Sequence, residues 1–168
     1  MQNHFDLFQL PLRFDIDMKQ LDAAYREIQA RVHPDRFVAA GSAEQRVAMQ
    51  WATRANEAYQ TLKNPLKRAT YLCELNGVAL QAESNTAMPP AFLMQQMEWR
   101  EELDEAKHDA VALEQLEQQV QQAHRDQLQQ VASQLAVPDF HSAAQTLRQL
   151  MFLEKFSNDL DHASEQLN

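Results

Sequence analysis

Glycine is nearly absent: Gly41 and Gly77 are the only two in 168 residues. Sandwiches, barrels and doubly wound sheets need many more turn residues than that. Cys73 is the only cysteine, so no intramolecular disulfide can form and a reducing, intracellular setting is expected. No apolar run approaches the ~20 residues that a bilayer-spanning helix requires. The opening Met1-Gln2-Asn3-His4-Phe5-Asp6 has neither the regions of a signal peptide nor the Arg-rich character of a transit peptide. The expectation is a protein that works where it is made, in the cytoplasm and away from membranes. There is no Gly-rich phosphate loop, so ATP hydrolysis by the chain itself is not expected. His4, His108, His124, His141 and His162 form no i,i+4 pair and Cys73 has no neighbouring ligand set, so neither a metal nor a cofactor is expected.

What is abundant is Gln, Ala, Leu and Glu, all good helix formers, and the chain reads as all-α. Charge is distributed unevenly. Residues 1–72 hold 10 Lys/Arg against 8 Asp/Glu, whereas residues 73–168 hold 5 against 16. That asymmetry points to two modules with different partners, and the acidic second half argues against nucleic acid.

The helices are delimited by their punctuation. Phe5 to Leu12 is a short apolar-rich opening. Asp17, with Gln20 as capping-box partner, starts a helix over about 18–32, with Leu21, Tyr25, Ile28 and Val32 at helical spacing. Pro34 stops it, because the residue before a proline is pushed out of the α region. Ser42 with Gln45 predicts a second capping box, opening a helix over about 43–62 marked by Val47, Trp51, Ala55, Ala58 and Leu62. Trp51 and Trp99 are expected to serve packing. Asn64-Pro65 begins a short helix that Gly77 terminates. Ser84-Asn85-Thr86 and Pro89-Pro90 mark residues 77–90 as a linker. The expected modules are therefore 1–76 and 91–168. In the second, helices are predicted over about 90–107, 110–136 and 140–163, the last capped by Asp139.

The helix after Pro90 carries two apolar faces. With about 100° per residue, Phe92, Gln96, Trp99, Leu103 and Ala106 share one face, suited to a bundle core. Leu93, Met94 and Met97 fall on another, with Glu101 beside them and Glu98 and Glu105 nearby. Geometry leaves two readings open. The second face meets a partner, since Met adapts well at binding surfaces, or the helix is buried on both sides and the glutamates are a solvated face. Phe152 also lies away from the Leu147/Met151 stripe of the last helix.

His33-Pro34-Asp35 sits at the tip of the first helical hairpin. Taken alone, it is a proline helix stop between two polar loop residues, or a histidine and carboxylate available for acid–base chemistry. Its context is more specific. Phe5-Asp6-Leu7-Phe8-Gln9-Leu10, Leu21-Asp22-Ala23-Ala24-Tyr25-Arg26, His33-Pro34-Asp35-Arg36 and Asn56-Glu57-Ala58-Tyr59-Gln60-Thr61-Leu62 follow in order at suitable distances, with Pro65-Leu66-Lys67-Arg68 after them. This set resembles the J-domain family. The resemblance implies an N-terminal J-domain hairpin whose loop and positive second helix dock on the nucleotide-binding domain of a DnaK-type chaperone and stimulate its ATPase. The residues implied are His33, Pro34, Asp35, Tyr25, Arg26 and Arg31. Lys19 is a further cation on that helix, which Glu27 interrupts.

Beyond the linker, the segment from Phe92 to Glu105 and Leu150-Met151-Phe152-Leu153-Glu154-Lys155 resemble the HscB family, the J-proteins of iron–sulfur cluster assembly. This chain lacks the N-terminal CxxC pair of some relatives. The resemblance implies a C-terminal three-helix bundle that binds the cluster scaffold IscU through Leu93, Met94, Met97, Glu98, Glu101, Glu105 and Phe152. It also implies HscA as the chaperone, and a co-chaperone that is not itself an enzyme.

Overall fold

The computed structural model describes residues 2–80 and 88–167. Seven α-helices and one 3-10 turn are present among the described residues, and no strand. The chain divides into two compact units, Met1–Leu72 and Cys73–Asn168. Half of the expected 77–90 linker, residues 81–87 with Ser84-Asn85-Thr86, lies outside the described residues.

The first unit contains α1 (His4–Leu7), α2 (Met18–Val32), a 3-10 turn (Pro34–Phe37), α3 (Ser42–Lys63) and most of α4 (Pro65–Leu75). Asn3 and Asp6 cap α1 reciprocally, side chain to backbone. The helix then closes on Gln9 in the left-handed region, φ 56°. There Leu10 N–H donates to Phe5 O and Gln9 N–H to Asp6 O, a Schellman pair of bonds. Gly77, φ 80°, ends α4 with the same pattern, and here glycine removes the Cβ penalty. Asp17 caps α2 by accepting from Lys19 and Gln20 N–H.

α2 and α3 are antiparallel. Tyr59 Oη donates to Asp22 Oδ1 at 2.7 Å, the Tyr25 hydroxyl bonds Asn56 Oδ1, and the two tyrosine rings stack at 4.0 Å. Phe5, Leu21, Ala55, Ala58, Leu62 and Ala69 are fully buried between the helices. Arg68 is buried as well: its guanidinium donates to Leu62 O at 2.7 Å and lies 4.7 Å from the Phe14 ring.

Two expectations for α3 need correction. Ser42 is the first helical residue, not the cap. Gly41 occupies the cap position without a side-chain bond, and the Gln45 side chain bonds loop carbonyls instead. Val47 and Trp51 are not core. They are 51% and 40% exposed, and Ala48 takes the buried position. The register that pairs Asp22 with Tyr59 and Tyr25 with Asn56 puts Val32, the end of α2, level with Met49, so Val47 lies past its partner helix. Trp51 instead carries the Arg54 guanidinium over its ring at 5.4 Å.

The second unit holds the end of α4, then α5 (Pro90–Ala106), α6 (Ala110–Ala136) and α7 (Phe140–Leu167). The last helix runs four residues beyond its expected end. Leu113, Leu116, Val120 and Val131 of α6 pack against Leu147, Leu150, Leu153, Phe156 and Leu160 of α7, all buried. Trp99 is buried from α5 and stacks on Phe156 at 5.9 Å. The all-α expectation, a hairpin module plus a helical bundle, holds. No described helix is long and apolar enough to cross a membrane.

Two side chains of this unit have shifted acidities. Burial pushes the Cys73 thiol up to about 11, and its Sγ sits 3.8 Å from Phe140 O. Since the thiolate is the reactive form, alkylation at pH 8 should proceed only as fast as the chain opens. Stoichiometric labelling of the native protein within seconds would contradict the burial. Asp139 caps α7: Ser142 donates to it from Oγ at 2.7 Å and from N–H at 3.1 Å, and these bonds lower its pKa below 3.8. Its contribution to stability is thus present above pH 3.8 and is lost as pH falls through the folded value. The difference in melting temperature between wild type and Asp139→Asn should shrink as pH drops from 5 towards 3. A constant difference would place the effect elsewhere.

Candidate functional site: an exposed loop and an exposed helix face

The loop is built by proline. Val32 ends α2 and His33 adopts φ −60°, ψ 136°, the extended conformation forced on a residue before proline. Pro34 then supplies the first residue of the 3-10 turn, and no residue of this turn is buried. His33 Nδ1 accepts from Asp35 N–H at 3.2 Å, and Arg36 N–H donates to His33 O at 3.0 Å. A neutral His33 that accepts through Nδ1 carries its proton on Nε2. The Asp35 carboxylate stands 3.5 Å from the same Nδ1 and is 88% exposed, so nearly its whole acceptor capacity faces outward.

Behind the loop a groove of about 510 Å³ runs between α2 and α3. Ala30, Val32, Pro34 and Ala52 give it apolar walls, and Gln29 and Asn56 give it polar ones. Tyr25 is half-buried and occupied within the hairpin. Its ring packs on Tyr59 and Phe8, and its hydroxyl meets Asn56 and Gln29. It shapes the hairpin instead of offering a free contact. On α2, Arg31 is held by Glu27 at 2.6 Å, an exposed i,i+4 pair of the kind worth well under ~1 kcal/mol. Arg26 and Lys19 are exposed on the same helix.

On α5 the two faces separate as their spacing requires. Trp99, Leu103 and Ala106 are buried, and Phe92 and Gln96 half-buried. Leu93, Met94 and Met97 are 47%, 62% and 65% exposed. Glu98, Glu101 and Glu105 are exposed on the same helix. Phe152 of α7 is half-buried and meets Phe92 edge-on at 6.5 Å. It is less open than Leu93, Met94 and Met97. No cluster of three or more His, Cys, Asp or Glu with metal-binding geometry occurs among the described residues.

A helical hairpin with an exposed His-Pro-Asp tip, followed by a separate helical unit, defines a J-domain co-chaperone. Comparison with known proteins narrows the class. A family profile described as the HSCB C-terminal oligomerisation domain matches residues 88–161. The co-chaperone protein HscB homolog of Burkholderia mallei is 54% identical over 167 residues, covering 98% of this chain and 95% of its own. The solved chaperone HscB from Vibrio cholerae superposes with a TM-score of 0.88 at 38% identity, covering 99% of this chain and 100% of that one. Human co-chaperone protein HscB superposes with a TM-score of 0.91 at 27% identity, covering 96% and 81%. The chain belongs to the HscB family of co-chaperones.

Proposed function

We propose that this chain stimulates the ATPase of the DnaK-type chaperone HscA through the His33-Pro34-Asp35 loop and the cations Arg26 and Arg31. With its second unit it delivers the scaffold IscU to that chaperone, serving iron–sulfur cluster transfer in the cytoplasm. In this reading Tyr25 acts by holding α2 against α3. Leu93, Met94, Met97 and Phe152, rimmed by Glu98, Glu101 and Glu105, form the client surface. The chain itself does no covalent chemistry.

One observation carries the reading: α5 already fills the bundle core with Trp99, Leu103 and Ala106, yet keeps three large apolar side chains in solvent. A core does not need that second face. Contiguous exposed apolar surface with a polar rim is characteristic of an interface. Asp35 supports the other half, since an exposed carboxylate on a surface turn is free to pair with a guanidinium, a strong charge-assisted contact.

A steady-state assay tests both halves. HscA hydrolysis should rise when the chain is added, and rise again, by more than the separate effects combined, when IscU joins it. If neither addition changes the rate, the proposal fails.

A further inference from the structure

The loop that carries His33-Pro34-Asp35 lies at the surface. Its 3-10 turn buries no residue, and Val38 beyond it is 76% exposed. Its N-terminal end is fixed by α2. At the other end Phe37 is half-buried, and a side chain of α3 adds a directed restraint. Gln45, in the first turn of α3, donates from Nε2 to Phe37 O at 2.9 Å and to Ala40 O at 3.3 Å, while its own N–H donates to Gly41 O at 3.1 Å. Phe37 is the last residue of the turn, and its carbonyl also accepts from Ala40 N–H at 3.0 Å. Gln45 thus pins the C-terminal end of the turn to α3. It also shares a helix face with Ala52 and Asn56, at i+7 and i+11, which line the groove behind the loop.

A capping-box glutamine would spend its side chain on its own helix terminus. Here it is spent on the loop. Gln45 is itself exposed, so its exchange should leave the fold intact, and both of its side-chain bonds go to loop carbonyls. We propose that Gln45 is a positioning residue for chaperone stimulation. Its amide holds the turn bearing His33, Pro34 and Asp35 in the conformation that docks. This rests on the reading that this loop docks on the chaperone.

The test uses the full chain with Gln45→Met, which keeps the length and removes the donor, Gln45→Glu, which sets a carboxylate against two carbonyl oxygens, and Gln45→Lys, which restores a donor. All should melt like wild type. Met and Glu should raise the concentration of chain giving half-maximal HscA stimulation by about 3- to 10-fold with the maximum unchanged. Only the docking-competent fraction of the loop falls, and apparent affinity falls with it. Backbone amide order parameters at Arg36 and Ala40 should drop towards the flexible range, below about 0.6. Lysine should return both readouts towards wild type. A folded Gln45→Met with wild-type half-saturation overturns the proposal. So does a loss confined to the maximum, or a lysine variant no better than methionine. Asp35→Asn is the control. If it stimulates normally, the docking reading falls and this proposal with it, whereas an inactive Asp35→Asn beside a silent Gln45→Met defeats the clamp alone.

Discussion

Asp35→Asn and His33→Gln should each bring HscA stimulation down to the unstimulated rate while leaving the melting temperature within error. Both side chains are exposed, at 88% and 58%, and their only mutual contacts lie within the turn. Surface substitutions of this kind change stability by less than ~0.5 kcal/mol. The asparagine keeps the size of the side chain and removes its charge, and with it a hydrogen bond roughly twice as strong as a neutral one. The histidine change also removes the ring nitrogen that accepts from Asp35 N–H, so the turn loses its internal cap. Circular dichroism and steady-state ATPase, measured on the same samples, check this. A folded variant with wild-type stimulation would mean that the loop does not act on the chaperone.

Changing Leu93, Met94 and Met97 together to Ala is expected to leave folding intact and to weaken IscU binding by at least about 100-fold. Interface anchors commonly carry more than ~1 kcal/mol each, and about 1.4 kcal/mol is a factor of ten in affinity. Leu103→Ala, nearly two turns beyond Met97 on the same helix, is the contrast. Leu103 is 7% exposed, and a buried Leu→Ala exchange costs ~2–5 kcal/mol. Thermal melts of the two variants therefore separate the faces of α5 directly. Titration of IscU into the triple variant then reads the client surface. A triple variant that unfolds would make the stripe core, and one that binds normally would put the client elsewhere.

Most of the fold was legible because its helices are punctuated by residues with unambiguous physics. Pro34, Pro65 and Pro90 stop or start helices through their fixed φ and missing N–H, and Asp17 and Asp139 cap in the structure as their positions require. The two faces of α5 were legible as a pattern, because an angle of 100° per residue separates Trp99 and Leu103 from Met94 and Met97 whatever packs against them. Exposure was another matter, since it depends on where a neighbour ends. Val47 continues the Ala55/Ala58 stripe in phase, but nothing in periodicity says that α2 stops level with Met49. Gln45 departs from its expected capping role for a related reason. A glutamine three residues after a serine fits a capping box, and only the folded loop shows Phe37 O and Ala40 O closer to its amide. The α1 helix did leave a signal, Asn3 followed by Asp6 three residues on, hidden by the shortness of the apolar stretch it caps.

The proposed function places two separable surfaces on one chain, one for the chaperone and one for the client. The most direct test is the HscA ATPase rate with the Leu93/Met94/Met97 triple-alanine variant, with and without saturating IscU. Without IscU the variant should match wild type, because His33, Pro34 and Asp35 are untouched. With IscU it should show none of the further acceleration that wild type gives. An equal further acceleration by the variant would contradict the account, because client delivery would then not pass through the exposed face of α5.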